Sequence, residues 1–273
     1  MRTTVVILGV LLFGCDDPLA YPQDIDRLRV LGARVSVEGD ASRASPDPGE
    51  AVSVEWLVAD PDPNPPLGWS FEACPSEAAS RGSPECSGPV FAAASSASPA
   101  PALPRFDFVT PTDPTERLLL RGRVCRDAVP PGCSGEAVMF EVSVGQPNQN
   151  PTLADASFSV NGQPWPDDNG SCALSVPSGE EARLDVTLAE SDREPLSEPL
   201  GPPREPLLLS HFSTLGRLSR PLSVIEGDAS KLDVSVPWRA PGDAAGEQTR
   251  FYFVVRDGRG GADWSVRTLC LAP

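Results

Sequence analysis

Two stretches of the chain have apolar residues at every second position, and both follow a turn that contains Pro, Gly and Glu. In the first stretch, after Pro48-Gly49-Glu50, the apolar positions are Val52, Val54, Trp56 and Val58. In the second stretch, after residues 177–180, they are Ala182, Leu184, Val186 and Leu188. A period of two with polar residues in between is typical of a half-buried β-strand. The similarity of the two stretches indicates an internal repeat with one such strand in each half.

Each half also ends in a predicted β-hairpin. The first hairpin joins residues 118–125 to residues 138–144, and the second joins residues 251–255 to residues 264–266 through the sequence RDGRGG. Glycines in that turn allow the positive φ that hairpin turns need. Further alternation predicts strands near residues 33–37, 69–71, 158–160, 207–212 and 232–238. No window carries a helical apolar stripe, and Pro recurs too often for long helices. We therefore predict an all-β fold of two β-sandwiches.

The repeat sets the predicted domain boundaries. The first domain covers residues 25–146 and the second covers residues 152–273, with a linker at residues 147–151 whose two prolines make it short and stiff. Residues 88–104 are small, poor in charge and interrupted by Pro, which predicts a long surface loop of the first domain.

The first fifteen residues have the pattern of an export sequence. Arg2 precedes an apolar run from Val5 to Phe13, which is too short to span a bilayer because a helix needs about 20 residues. The run ends in Leu12-Phe13-Gly14-Cys15, which resembles the bacterial lipobox. That resemblance implies a signal peptide at residues 1–14, diacylglyceryl on Cys15 and a lipid-anchored tether at residues 15–24. The alternative is an ordinary secretory signal with an incidental cysteine.

The composition is acidic and excludes several classes of function. The chain has 38 Asp and Glu against 22 Lys and Arg, so its formal charge is −16. Phosphate binding needs clustered Lys and Arg, so we exclude a nucleic-acid partner, and the acidic surface disfavours docking on anionic lipid. The only histidine, His211, cannot supply a two-His zinc motif, and no GxSxG is present. We predict that the protein is not an enzyme and that His211 is a strand residue with a satisfied hydrogen bond.

Six cysteines remain when Cys15 is set aside: Cys74, Cys86, Cys125, Cys133, Cys172 and Cys270. An even number in an exported chain predicts three disulfides. Proximity along the sequence favours 74–86 and 125–133, which leaves 172–270. A metal site is disfavoured because the chain has no CxxC and no histidine near these cysteines.

The DGRGG turn before a last alternating strand, and the PGE-type turn before the repeated strand, resemble bacterial immunoglobulin-like domains of the PKD or cadherin-like kind. The whole chain is similar to two-domain lipoproteins of the myxobacterial type. This resemblance implies two tandem immunoglobulin-like sandwiches in the cell envelope, and it brings no catalytic residues. It also gives the disulfides a role, because 125–133 would join a hairpin and 172–270 would hold the last strand.

The acidic loop with Asp60, Asp62 and Asn64 resembles calcium-binding turns, where hard oxygen ligands crowd together. The equivalent loop of the second half carries Glu190, Asp192 and Glu194. Ordinary solvated turns are the favoured interpretation, and no other cofactor is indicated. Of the five tryptophans, Trp56, Trp69, Trp238 and Trp264 are expected in the cores. We expect Trp165 to pack on its own domain, and the alternative is an exposed ring that stacks on a sugar or partner.

These observations predict a non-enzymatic, lipid-anchored envelope protein that acts as a structural, adhesive or protein-interaction module. Its expected contacts are the membrane, through the N-terminal lipid, and an envelope protein. The alternative is a calcium- or small-ligand-binding receptor that uses the acidic loops. Asp16 and Asp17 resemble an enterobacterial signal for retention in the inner membrane, but that rule varies between bacteria, so the inner and outer membranes both stay open.

Overall fold

The computed structural model of the chain describes residues 21–77, 83–99, 102–113, 115–167, 171–196 and 202–273. The predicted signal peptide and Cys15 lie outside these residues. Within them the regular structure consists of 17 strands and one single-turn 3-10 helix at Glu190–Asp192. No helix in this part of the chain is long and apolar enough to cross a membrane. The predicted all-β class is confirmed.

The first half folds into two antiparallel sheets. Its strands are β1 (Arg29–Val37), β2 (Ala51–Ala59), β3 (Leu67–Pro75), β4 (Ala92–Ser98), β5 (Arg105–Val109), β6 (Arg117–Arg126) and β7 (Glu136–Ser143). One sheet has the order β1-β2-β5 and the other has the order β4-β3-β6-β7. Trp56 of the first sheet stacks on Phe71 of the second, with 4.9 Å between ring centroids. The two sheets therefore enclose one buried core.

The second half repeats this arrangement with more strands. They are β8 (Ser157–Val160), β9 (Gln163–Pro164), β10 (Leu174–Pro177), β11 (Glu181–Thr187), β12 (Leu207–Ser213), β13 (Arg217–Leu218), β14 (Leu222–Ile225), β15 (Asp233–Arg239), β16 (Gln248–Arg256) and β17 (Ala262–Ala272). The sheets have the orders β10-β17-β16-β12-β14 and β13-β15-β11-β8-β9. Trp238 packs edge-on against Phe251 between them, at 5.0 Å. A second buried core results.

The stretch 88–104, predicted as a surface loop, contains a strand. β4 pairs antiparallel with β3, from Leu67 opposite Ser98 to Ala73 opposite Ala92. Most of β4 is exposed because it forms the edge of its sheet. It therefore carries none of the apolar alternation from which a strand is recognised, and the loop prediction is wrong for residues 92–98.

A third apolar cluster joins the two halves. From the first half it contains Ile25, Leu31, Leu57 and Ala59, and from the second half it contains Tyr252 and Val254 of β16. Trp264 and Val266 of β17 pack against its edge. Trp264 was expected in a core, but it is half-buried at this boundary instead. The outer face of the β16–β17 hairpin is thus covered by the first half.

A β-bulge at Leu31 creates the first half's side of this contact. Val30 lies opposite Val58 and Gly32 lies opposite Leu57, so Leu31 is an extra residue. An extra residue reverses the face to which the following side chains point. Leu31 therefore faces the second half, while Ala33 and Val35 point into the core of their own sandwich. At Gly32 a Cβ atom would lie 3.3 Å from a methyl carbon of Val254, so the missing side chain permits close approach.

Part of the predicted tether is docked on the second half. Of residues 15–24, those from Tyr21 onward are described, and Ser213 of β12 donates its backbone N–H to the carbonyl of Gln23 at 3.0 Å. Ile25 returns a bond from its own N–H to Ser213 at 2.9 Å. The side chain of Gln23 is buried and donates to the carbonyl of Leu218 at 3.2 Å. These residues continue the second sandwich, although they precede the first along the chain.

The predicted linker, residues 147–151, is held by both halves. The Asn150 side chain donates to the carbonyl of Val35 at 2.7 Å and accepts the N–H of Ala262 at 3.1 Å. Buried Asn148 donates to the Asp257 carboxylate at 2.8 Å. Gly261 is needed here, because a Cβ atom would lie 2.7 Å from the carbonyl of Gln149. Only the first two glycines of the RDGRGG turn, Gly258 and Gly260, have positive φ.

Three disulfides close the structure: Cys74–Cys86, Cys125–Cys133 and Cys172–Cys270. These are the pairs that proximity along the sequence favours. The first ties β3 to the loop that follows it, and the second joins β6 to the loop that leads into β7. The third links β17 to the residues just before β10, which pairs with β17 in parallel.

Candidate functional site

The acidic loop that resembles a calcium turn lies where β2 leaves the first sandwich, beside the second half. Its first carboxylate, Asp60, is buried and ion-paired with Arg126 at the end of β6. The Arg126 Nε donates to Asp60 Oδ2 at 3.1 Å, and a second guanidinium nitrogen contacts Oδ1. The exposed Arg126 thus neutralises the carboxylate from one side.

The remaining carboxylate oxygens of the loop cap its own backbone. The N–H of Asp62 donates to Asp60 Oδ1 at 2.9 Å, and the N–H of Asn64 donates to Asp62 Oδ1 at 3.2 Å. Bonds of this kind, from a backbone N–H to the Asp two residues earlier, are Asx turns. They account for the spacing of the acidic residues by local turn geometry alone.

The backbone carbonyls of the loop accept hydrogen bonds from an arginine of the other half of the molecule. Arg250 of β16 donates to the carbonyls of Asp60 and Pro61, each at 2.7 Å, and to that of Asp62 at 3.4 Å. The same guanidinium contacts the Tyr252 hydroxyl at 3.3 Å. We call this group of contacts the Arg250 clamp. Clustered carbonyl oxygens of a turn also suit Ca²⁺, and here a guanidinium occupies them.

This geometry gives the calcium prediction no support. Within the described ranges, no group of three or more His, Cys, Asp or Glu is placed to hold a metal ion. Asp60 and the three carbonyls are bound to arginines. Calcium binding at Asp60, Asp62 and Asn64 stays a prediction, and the ion would have to displace two guanidinium groups.

The second acidic loop is likewise built into the fold. Glu190 pairs with the buried Arg193 at 2.8 Å, and Glu194 pairs with Arg259 at 2.5 Å. Asp192 accepts the N–H of Ala189 at 2.6 Å, which closes the 3-10 turn. Burial raises the pKa of Asp192 above its usual range, and the bond from Ala189 opposes that shift. Glu190 and Glu194 thus pair with different arginines, and Asp192 binds the backbone.

Arg34 forms a second polar bridge between the halves. It donates to Asp263 of β17 at 2.8 Å and to Glu55 of β2 at 3.2 Å. Its guanidinium also lies over the Trp264 ring at 4.9 Å, which is a favourable cation–π distance. The other oxygen of Asp263 accepts the N–H of Leu153, just beyond the linker. The Arg250 clamp and Arg34 thus lie among the apolar contacts of the third cluster.

A cleft of about 990 Å³ opens beside these bridges. Its walls include Trp264 and Tyr252 from the second half and Leu57 from the first, with Gln248, Asn64 and Asp263 as polar groups. A half-buried aromatic ring next to amide and carboxylate groups can hold a small polar ligand. Of the three residues predicted as calcium ligands, Asp60, Asp62 and Asn64, it is Asn64 that lines this cleft.

His211 is a strand residue, as predicted, and its side chain is buried in the second sandwich. Its Nε2 lies 3.1 Å from the hydroxyl of Ser223 on the neighbouring β14. Both residues are buried, and burial together with Arg220 lowers the pKa of His211 from 6.5 to about 4. The Nδ1 atom is buried and has no hydrogen-bond partner among the described residues. A catalytic serine–histidine pair needs a third group on that nitrogen to orient the ring.

Trp165 is also a core residue, so the alternative of an exposed stacking ring is wrong. It is 2% exposed, and its indole N–H donates to the carbonyl of Thr268 at 3.1 Å. The ring packs edge-on against Phe251 at 5.3 Å. The prolines on either side suggest a surface turn, but Pro164 belongs to the short edge strand β9 instead.

Sequence reasoning missed the residues that join the two halves. Arg34 and Arg250 read as ordinary polar positions of alternating strands, because nothing local distinguishes a solvated arginine from a bridging one. Leu57 did carry an indication, since it is an apolar residue on the predicted polar face of β2. An apolar side chain at such a position marks a face that another part of the chain covers.

No family model matches the chain, and no curated protein matches it. Among solved structures the chain is similar to alpha-2-macroglobulin of E. coli, determined in its native conformation by cryo-electron microscopy. The sequence identity is 9% and the TM-score is 0.24, over 92% of this chain. The chain spans 16% of the length of that protein. A likeness this low carries no argument about fold family or function, so the resemblance to tandem-domain lipoproteins stays an expectation.

Proposed function

We propose that the chain is a non-enzymatic lipoprotein of the bacterial cell envelope, in which two immunoglobulin-like sandwiches form one protein-interaction module. The lipid on Cys15 would hold it in the inner or outer membrane, and its surface would contact another envelope protein. The observation that carries the proposal is the interface between the halves, where a shared apolar cluster and the Arg250 clamp join two sandwiches into one body.

The strand order supports the immunoglobulin-like part. Without the short strands β9, β10 and β13, each half has seven strands. In both halves the second strand pairs with the first and the fifth, and the third strand pairs with the fourth and the sixth. The seventh strand pairs with the sixth as a hairpin. Lettered along the chain, both halves have the order A-B-E in one sheet and C′-C-F-G in the other, without the short strands β9, β10 and β13. This order is a variant of the Greek-key sandwich of immunoglobulin domains.

The polar chemistry supports a non-enzymatic role. The carboxylates of the two acidic loops are bound to arginines or to backbone N–H groups, and His211 is buried without an orienting acid. A catalytic group must reach its substrate with its proton in the right place. In the described parts of the chain these groups hold the fold together instead.

The lipid anchor is tested by metabolic labelling with a radioactive fatty acid. The expected result is a labelled protein in the membrane fraction, and a Cys15→Ser variant that is unlabelled. Cys125→Ser serves as the matched control, because it removes a cysteine outside the lipobox. A mature N-terminus other than residue 15, found by mass spectrometry, would overturn the anchor.

The interaction module is tested by purification through a C-terminal tag from gently solubilised membranes. A stoichiometric envelope protein is the expected companion. Its binding should survive Cys15→Ser and should be lost when the two halves are separated. Amine cross-linkers are a poor tool here, because the only lysine is Lys231. If no protein accompanies the chain at stoichiometric level, the module is not the function.

A receptor for a small polar ligand is the second candidate, and the cleft beside Trp264 favours it. Trp264 is half-buried, whereas the other four tryptophans are buried, so a ligand in the cleft should change the fluorescence of Trp264 first. Titration with sugars, amino acids and millimolar calcium tests this candidate, with Trp264→Phe as the control. For calcium we expect no rise in melting temperature. A rise that Asp62→Ala abolishes would restore the metal receptor.

A further inference from the structure

Three arginines for which no ion pair is found among the described residues lie along the β13–β15 edge of the second sandwich. Arg217 of β13 is paired in register with Arg239 of β15. Arg220, which follows β13, donates to the carbonyl of Ser235 farther along β15 at 2.7 Å. All three are exposed, and none has a carboxylate within ion-pair distance among the described residues. Tyr21 lies beside them, 40% exposed, with its ring 4.2 Å from the Arg217 guanidinium carbon. We call Tyr21, Arg217, Arg220 and Arg239 the arginine surface.

The local charge at this surface is opposite to that of the whole molecule. The nearby carboxylates are Glu181, which lies opposite Arg239 in the sheet, Asp24, and Asp26, which is ion-paired with Arg27. Burial raises the pKa of Asp24, and the charges of Arg217 and Arg29 oppose that shift. Arg29 adds a further positive charge, since it donates to the carbonyls of Pro22 and Asp24. In a chain of net charge −16, this surface is positive.

The chain enters the structure at the same place. Tyr21 and Pro22 line a shallow hollow of about 470 Å³ together with Arg217, Leu218, Pro221 and Arg239. The bonds of Gln23 and Ile25 to β12 hold this segment against the second sandwich. Cys15 is only six residues before Tyr21, which limits the distance between their Cα atoms to about 20 Å. A lipid on Cys15 therefore brings the arginine surface within that distance of the bilayer.

We propose that the arginine surface faces the membrane and binds the anionic headgroups of phospholipids in the leaflet that holds Cys15. This inference rests on the proposed lipidation. Guanidinium groups bind phosphate through paired N–H donors, and basic residues next to a bilayer are attracted by its negative surface potential. An exposed tyrosine suits the interface, where its ring contacts apolar groups and its hydroxyl stays hydrated. The acidic remainder of the molecule is repelled from the same membrane, which reinforces one orientation.

The orientation has a definite geometric consequence. The second sandwich lies next to the bilayer, although the first sandwich is nearer to Cys15 along the chain. Within the second sandwich, Arg239 pairs with Glu181 at the start of β11, and Ser157 pairs with Thr187 at its end. At the usual rise of a strand these ends are about 20 Å apart. Ser157 is therefore farther from the membrane than Ser219, which lies at the rim of the hollow.

The test uses the mature lipidated protein reconstituted into vesicles that carry a headgroup-linked fluorescence quencher. A fluorophore is attached to the thiol of Ser219→Cys in one preparation and of Ser157→Cys in another, since both serines are exposed. With phosphatidylglycerol in the vesicles, we expect the label at position 219 to be quenched several-fold more than the label at position 157. In vesicles of phosphatidylcholine alone, or in high salt, the difference should shrink.

The charge requirement is tested in the same preparation with the triple variant R217Q/R220Q/R239Q. Its matched control is R105Q/R121Q/R183Q, which removes three exposed arginines that already have an ion-paired carboxylate. The first variant should lose the difference between positions 219 and 157, and the control should keep it. Equal quenching at both positions on vesicle-bound protein, or a difference unchanged in the first variant, overturns the inference. Protein that fails to float with the vesicles overturns the lipid anchor itself, and the inference with it.

Discussion

At the scale of single residues, arginines hold this acidic protein together. Arg250 joins three carbonyl oxygens of the first half, Arg34 bridges Asp263 and Glu55, and Arg259 contacts Glu194 and Glu205. Arginine suits these positions because its planar group presents several N–H donors at once and stays charged when partly buried. The acidic loops are therefore bound by arginine side chains of the same chain.

Replacing Arg250 by Ala leaves the carbonyls of residues 60–62 without their donor at a half-buried interface. We expect the free energy of unfolding to fall by about 2 kcal/mol, because hydrogen bonds to charged groups contribute about that much. Urea denaturation measures the loss. Arg121→Ala is the control, since its ion pair with Glu72 is exposed and should contribute less than about 1 kcal/mol. Equal losses in the two variants would show that the clamp adds no stability.

His211 makes stability depend on pH. Burial, with Arg220, lowers the pKa of His211 to about 4 in the fold, below the usual 6.5 of the unfolded chain. The fold therefore favours the neutral ring, and this stabilisation is present above about pH 6.5 and is lost as the pH falls toward about 4. Over this pH range the free energy of unfolding falls by about 3 kcal/mol because of His211. His211→Gln should remove this component from the pH dependence of urea unfolding.

Three carboxylates act in the opposite direction, so their contribution must be the same in the two proteins that are compared. Burial raises the pKa of Asp24, Asp192 and Glu205, so the fold takes up their protons more readily and gains stability as the pH falls. The informative quantity is therefore the difference between the native chain and His211→Gln at each pH. A difference that stays constant from neutral pH to about pH 4 would contradict the lowered pKa.

At the scale of elements, the last hairpin of each half is held by a disulfide, and the two disulfides close loops of very different length. The β6–β7 hairpin is joined by Cys125–Cys133, which are 8 residues apart, whereas β17 is tied by Cys172–Cys270 across 98 residues. The closing of a long loop restricts the unfolded chain more than the closing of a short loop does. The two disulfides therefore differ in their expected contribution to stability.

Replacing both Cys172 and Cys270 by Ser should lower the free energy of unfolding by about 4.5 kcal/mol, against about 2.5 kcal/mol for Cys125 and Cys133. Strain in the native state is subtracted from both values. Thermal or urea unfolding of the two double variants gives the comparison. A larger loss from the 125–133 pair would show that the native hairpin, rather than the unfolded chain, determines the effect.

At the scale of the whole molecule, the two sandwiches lie side by side. The bulge at Leu31, the apolar Leu57 and the docked segment 21–25 all connect the first half to the outer surface of the second. The linker contributes bonds to both halves through Asn150. We expect one cooperative unit in solution rather than two domains that move freely.

Leu57→Glu places a charge inside the third apolar cluster and should separate the halves without unfolding them. The radius of gyration from small-angle scattering should rise, while the circular dichroism of the strands is kept. Ser53→Glu is the matched control, because it lies on the same strand and on the same outward face, away from the cluster. An unchanged radius for Leu57→Glu would mean that the cluster does not hold the halves together.

The sequence by itself determined the all-β class, the repeated strand at 51–59 and 181–187, the hairpins and the favoured cysteine pairs. These follow from alternation, turn residues and spacing, which are local properties of the chain. Only the tertiary structure decided that β4 is a strand, that Trp165 is buried, and that Trp264, Arg34 and Arg250 lie between the halves. An edge strand needs no apolar alternation, and an arginine has the same local pattern whether water or a distant carbonyl accepts its hydrogen bonds. The partners of such residues are distant in sequence, so folding alone brings them together.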